Sequence, residues 1–176
     1  MRSLLVLAVA LVSMAVPMPA ASTSRMDSTP VRRSALERDV VRELNRVRTE
    51  HGLRPLRFGG GLRAAATQHS RAMLELGFFK HESANGTAFD DRIRRFYSDR
   101  GWGVWSVGET LLSSSGDIDA RQIVAAWVDS RAHRAIILAP VWRDAGIGAY
   151  FADAAAGDFG DSPALVVTAD FGLRTK

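Results

Sequence analysis

Gly146-Ile147-Gly148-Ala149-Tyr150-Phe151 and Leu165-Val166-Val167-Thr168-Ala169-Asp170-Phe171 are two short runs of aliphatic, β-branched and aromatic residues. A polar Ala/Gly/Asp loop, Asp153 to Pro163, separates them. That pattern predicts two neighbouring strands of an antiparallel hairpin. The chain before them reads differently. Leu36, Val40, Leu44 and Val47 recur at helical spacing and Gly52 ends the run, predicting a helix over 35–50. Leu62, Ala66, His69, Met73 and Leu76 predict a second helix over 61–76, closed by Gly77. Pro55 to Phe58 reads as extended. Thr87 can cap a short helix over 88–97, with Phe89, Ile93 and Phe96 inward. Val104 to Leu112 predicts a strand. A helix over 119–129 carries Ile123, Val124 and Trp127, and Ile136 to Leu138 continues as a short helix that Pro140 stops. Ser34 with Glu37, and Asp119 with Gln122, have the spacing of reciprocal capping boxes. Helices first and adjacent strands last argue for an α+β fold rather than a doubly wound sheet.

The chain has 176 residues, but its start is not part of that pattern. Arg2 precedes an apolar stretch, Leu4 to Val16, followed by Pro17, Pro19 and the small residues Ala20-Ala21-Ser22. Those are the three regions of a secretory signal peptide, here 1–21. An uncleaved membrane anchor is the competing reading, and the two prolines at the cleavage region favour removal, which leaves no stable transmembrane anchor. Residues 22–34 read as a flexible lead-in, Ser22 to Pro30 having no hydrophobic period. The remaining ~150 residues make one ordinary domain. The protein is therefore expected to be secreted. Cysteine is absent, which excludes a disulfide framework, Cys-ligated metal and a thiol nucleophile. The net charge is +4 and the pI about 10.3, but only Lys80 and Lys176 are lysines. Export, and the lack of any RNA or DNA motif, argue against a nucleic-acid partner. Arg38, Arg42 and Arg46 form a helical stripe, read as a solvated face, with contact to anionic wall polymer or lipid as the sharper alternative.

Four histidines are candidates for chemistry. His51 adjoins the end of the first helix, where a cation is favourable. His69 lies on the apolar stripe of the second helix and reads as a hydrogen-bonded core residue. His81 follows Phe78-Phe79 in a loop, and His133 sits at a break between two helical pieces. Neither fits a periodic core pattern. Glu109 lies inside the apolar run Val104 to Leu112, where an unpartnered carboxylate is costly and a histidine is its usual partner. His81, Glu109 and His133 are thus expected to converge.

Phe78-Phe79-Lys80-His81-Glu82-Ser83, then Val107-Gly108-Glu109, then Trp127-Val128-Asp129-Ser130-Arg131-Ala132-His133-Arg134 with Ile137-Leu138, then Gly146-Ile147-Gly148, resemble the CAP superfamily. This family, also called SCP-like, groups cysteine-rich secretory proteins, antigen 5 and pathogenesis-related-1 proteins. The likeness is greatest to its bacterial secreted branch. It runs from about Leu36 to Phe171, placing a CAP domain at 35–173. It implies a three-layer α-β-α sandwich with a small antiparallel sheet, and a surface cleft with two histidines and acidic residues. By motif, His81 takes the first histidine position, Glu109 the glutamate of the Gly-Glu-Asn motif, and His133 the second histidine. In some members such histidines bind zinc, and two imidazoles with a carboxylate make a reasonable open zinc site. Three positions depart from the family pattern. Thr110 follows the motif glutamate where Asn is usual, Ile136 stands at a second usual Asn, and Ser130 lies near the place of a second cleft acid.

The resemblance favours a non-catalytic secreted binding module for a lipid, cell-wall polymer or extracellular protein. The alternative is a hydrolase, zinc-dependent or using Ser130, His133 and Glu109 as nucleophile, base and orienting acid. Ser130 and His133 are three apart and face each other if helical. No nucleophile elbow is present, and Ser130 also suits the N-cap of the following helix.

Overall fold

The structure is a computed structural model and describes residues 29–176. The leader 1–21, and the lead-in as far as residue 28, lie outside the described residues. The predicted hairpin is the centre of the molecule. β4 (Asp144–Ala155) and β5 (Ser162–Thr175) pair antiparallel, joined through a 3-10 turn at Gly157–Phe159. β3 (Val104–Ser114) lies antiparallel along the other side of β5 over its full length. The outer edge of β4 takes two short strands, β1 (Val31–Arg32) antiparallel and β2 (Arg57–Phe58) parallel. β1 falls inside the stretch read as flexible lead-in. Its backbone pairs with Phe151 and Tyr150, so that reading fails for residues 31–34.

The sheet lies between two helical layers, as the sandwich requires. α1 (Ser34–Glu50), α4 (Ala120–Asp129) and α5 (Arg131–Ile137) cover one face. α2 (Gly60–Leu76) and α3 (Phe89–Arg94) cover the other. Strand alternation assigns the side chains. Ala145, Ile147 and Ala149 of β4, with Leu165, Val167, Ala169 and Phe171 of β5, meet Val40, Leu44, Ile123 and Trp127. The intervening positions face α2. There Gly146 and Gly148 are required by packing. A Cβ on Gly146 would run into the backbone of Leu62 and Arg63, and one on Gly148 into that of Ala66 and Thr67. The two glycines let α2 lie directly on the strand, where Leu62, Ala66, His69 and Met73 are buried while Leu76, at the end of the expected stripe, is exposed.

Several local expectations are displaced by tertiary contacts. The Asp119–Gln122 capping box forms in both directions. The one expected at Ser34–Glu37 does not: Glu37 instead accepts two bonds of 2.8 Å from Arg32 and lies near the Ala149 amide. A buried carboxylate gains more from a bidentate guanidinium than from one amide. Thr87 makes no cap, and α3 stops at Arg94, shorter than expected. Phe96 is consequently exposed at 38%, and Tyr97 occupies the inward place. Along α1, Arg42 pairs with Asp39, and Arg46 with Glu43 and Glu50, as on a solvated face.

Candidate functional site

The β3–β5 register sets Glu109 directly opposite Asp170, on the α2/α3 side of the sheet. Both carboxyls are buried, Glu109 at 3% exposure and Asp170 completely. Three segments close over them. The loop after α2 brings His81, whose Nδ1 lies 2.8 Å from Glu109 Oε1. α3 brings Arg92, itself buried, which donates from one terminal nitrogen to Glu109 Oε2. Its other terminal nitrogen donates to the main-chain oxygen of His81 at 2.8 Å. Arg92 therefore fixes both the carboxylate and the loop that carries the histidine. From α2, His69 Nε2 reaches the carbonyl of Lys80 at 3.0 Å, a second tie on the same loop. Contacts on two adjacent residues, 80 and 81, hold an otherwise irregular segment in place.

The protonation of the cluster follows from burial and charge. Burial, then the positive charge of Arg92, depress His69 to about 4, so its imidazole is neutral at ordinary pH. His81 goes the other way: its hydrogen bond to Glu109 raises it against the opposing effect of burial. Asp170 is pushed well above the ordinary carboxyl range, first by burial and then by the negative charge of Glu109. Neither of its oxygens has a hydrogen-bond partner among the described residues. Burial and the adjacent charge of Glu109 thus both favour the protonated form of Asp170, while Arg92 is paired with Glu109.

The structure hydrogen-bonds His81 to Glu109, while His133 shares no hydrogen bond with either among the described residues. His133 lies on α5, half-buried, without a hydrogen bond from its ring among the described residues. Burial, then the charge of His81, lower it, so the two rings are within electrostatic reach. Glu109 has one oxygen on His81 and the other on Arg92. Among the described residues, no group of three or more histidines and carboxylates is arranged to hold a metal ion. Ser130 sits at the N-cap of α5 by backbone position, yet its hydroxyl makes no capping bond. It makes none to His133 either, so Ser130, His133 and Glu109 are not linked as a triad. His51 is structural, with Nδ1 at 2.8 Å from the Val47 carbonyl.

Two members of the cluster escape a reading of the sequence. Asp170 carries the same signal as Glu109, a lone carboxylate in an apolar run at an inward strand position. Arg92 carries none, since nothing local marks one arginine of α3 as buried.

Residues 41–171 match the model of the cysteine-rich secretory protein family, CAP. A Bacillus subtilis relative, uncharacterized protein YkwD, is 30% identical over 132 residues. The match takes in 75% of this chain and 49% of that protein, so the chain spans about half the length of the curated relative. Among solved structures, an outer surface protein from Borrelia burgdorferi superposes with a TM-score of 0.64 at 20% identity, covering 84% of this chain and 99% of that one. An extracellular protein containing a SCP domain from Bacillus anthracis gives 0.61 at 18% identity, covering 92% of this chain and 45% of that one. These structures share the α-β-α arrangement around the hairpin. With most of its length matched, and with no cysteine despite the family's title, the chain belongs to the cysteine-rich secretory protein, or CAP, family.

Proposed function

We propose that this CAP domain acts outside the cell as a non-catalytic binding module, capturing a lipid, wall polymer or protein at the cleft around His81 and Glu109. The observation that carries the reading is the full engagement of Glu109 by His81 and Arg92. A carboxylate held on both oxygens orients a histidine and shapes a surface. His81 remains half-exposed, with its second ring nitrogen available to hydrogen-bond a ligand. Among the described residues, no helix is long and apolar enough to cross a membrane. Extracellular and outer-surface relatives of the same fold support action outside the cell. The test is cosedimentation of the purified chain with isolated wall material and with lipid vesicles, wild type against His81→Ala. Loss of retention on one of them in the variant is expected; equal retention of both proteins on every support would contradict it.

A second reading, hydrolysis, is favoured by one feature: a carboxylate-oriented, solvent-facing imidazole is the arrangement of a general base. Ester, peptide and glycan substrates, assayed with His81→Ala and His133→Ala as controls, separate the two. Histidine-dependent turnover would replace the binding module with an enzyme.

A further inference from the structure

We infer a phosphate-ester site in the groove between the β1/β4 edge of the sheet and the exposed face of α2. This rests on the reading of the chain as a binding module and names a ligand class for it, at a place separate from the His81 cleft. The groove encloses about 380 Å³. Gly60, Arg63, Thr67, Gln68 and Arg71 line it from α2, at spacings that fall on one helical face. Arg32 and Tyr150 line the opposite side, where the β1–β4 register places them as direct partners.

Every side chain with a polar group in this lining carries donors, and three are guanidiniums. Their carboxylate partners leave donors over. Glu37 takes Nε and Nη2 of Arg32, leaving Nη1. Glu75 takes only Nε of Arg71, leaving both terminal nitrogens. Arg63 has no carboxylate partner among the described residues and lies over the Phe58 ring. The N-terminus of α2 opens at the same groove through Gly60, with neither a side-chain cap nor an acid in its first turn. Unbonded first-turn amides carry the positive end of the helix dipole.

A second observation points to a ligand independently. Tyr150 is nine-tenths buried, lines the groove, and its hydroxyl makes no hydrogen bond among the described residues. A largely buried phenol is normally hydrogen-bonded. The hydroxyl is not sealed in the protein, and Tyr150 lines the groove. Donors thus converge from β1, α2 and β4. A phosphoryl group offers acceptor oxygens in several directions at once and suits guanidiniums presented on different sides. A carboxylate, with two oxygens in one plane, would engage fewer of them.

The experiment is calorimetric titration of the purified chain with glycerol 3-phosphate, with glycerol as the control. Millimolar or tighter binding that weakens with added salt is expected for the phosphate ester, and none for glycerol. Arg63→Ala and Arg71→Ala should each weaken binding at least about tenfold. Tyr150→Phe should weaken it severalfold at unchanged thermal stability, and Arg95→Ala, outside the groove, should leave it intact. A glycerol phosphate polymer, against vesicles with and without phosphatidylglycerol, then separates a polymer from a lipid headgroup as the natural source. No binding by the wild type, or equal loss in Arg95→Ala, would overturn the site. His81→Ala should bind glycerol 3-phosphate normally, so failure of this groove and failure of the His81 cleft are distinguishable.

Discussion

On one side of β5 the residues are Leu165, Val167, Ala169, Phe171 and Leu173; on the other they are Val166, Thr168, Asp170 and Gly172. The first set meets α1, α4 and α5 in a dry core. The second meets α2 and α3, where Ser70 donates to the Gly148 carbonyl and accepts from the Thr168 hydroxyl, and Arg92 sits over the paired carboxyls. Each side also buries one arginine, and the two are satisfied differently. Arg48, on the α1 side, donates to the main-chain carbonyls of Arg54, Ile137 and Ala139. Arg92 donates to a side-chain carboxylate beside Asp170, whose carboxyl is pushed well above its ordinary range by burial and by Glu109. Carbonyls cannot titrate, so Arg48 is a clamp at any pH. Arg92 belongs to a set whose charge depends on pH. Both faces are tightly packed, but only the second holds buried titratable groups, beside a surface loop.

The difference can be broken most severely at the glycines. Gly148→Ala places a methyl group into the backbone of α2 and should cost more than about 3 kcal/mol, or prevent folding. A native-like urea midpoint for that variant would mean that α2 does not need to touch β4. The two arginines come next. Arg92→Met strands a buried carboxylate and should cost about 3–5 kcal/mol. Adding Glu109→Gln should recover much of that loss. Arg48→Met leaves only carbonyls unmet, about 1–3 kcal/mol, and no carboxylate change should rescue it. Equal losses without rescue in urea melts would erase the distinction between the faces.

The titrating side should also respond to pH. His69 is depressed to about 4 in the folded protein, so the unfolded chain binds its proton first as pH falls. Stability from this group is present above about 6.5 and is lost down to about 4, amounting to about 3 kcal/mol. Denaturant midpoints across that window should flatten in His69→Gln. Asp170 has the opposite sign. Its folded form keeps a proton that the unfolded form gives up above its ordinary 3.8. Stability from Asp170 therefore falls as pH rises from acid to neutral. Asp170→Asn should gain steadily on the wild type over that range, and a constant difference would show that Asp170 is ionised in the fold. The smallest effect belongs to Ser130→Ala, within about 0.5 kcal/mol, because its hydroxyl caps nothing.

Much of the dry face was legible in the sequence, because its signals are local and periodic. The hairpin, the α1 stripe and the Asp119–Gln122 box each follow from residues a few positions apart. The Ser34–Glu37 box had the right spacing and failed, since Arg32 and a strand 112 residues away compete for Glu37. The other face was legible only in part. Glu109 stood out as an acid in an apolar run, and its pairing with His81 follows from the cost of burial. Asp170 offered the same clue inside the second hairpin strand. That Arg92, rather than His133, would take the second oxygen depends on how α3 packs. No spacing in the chain encodes that contact.

The engagement of Glu109 can be read directly in histidine side-chain 1H–15N spectra recorded near neutral pH while zinc is added. His81 should show a hydrogen-bonded Nδ1, and equimolar zinc should leave the His81 and His133 signals where they are. Zinc that shifts both histidines together at equimolar ratio, and does so only when Glu109 is intact, would mean that Glu109 is a metal ligand and that Arg92 and His81 do not hold it.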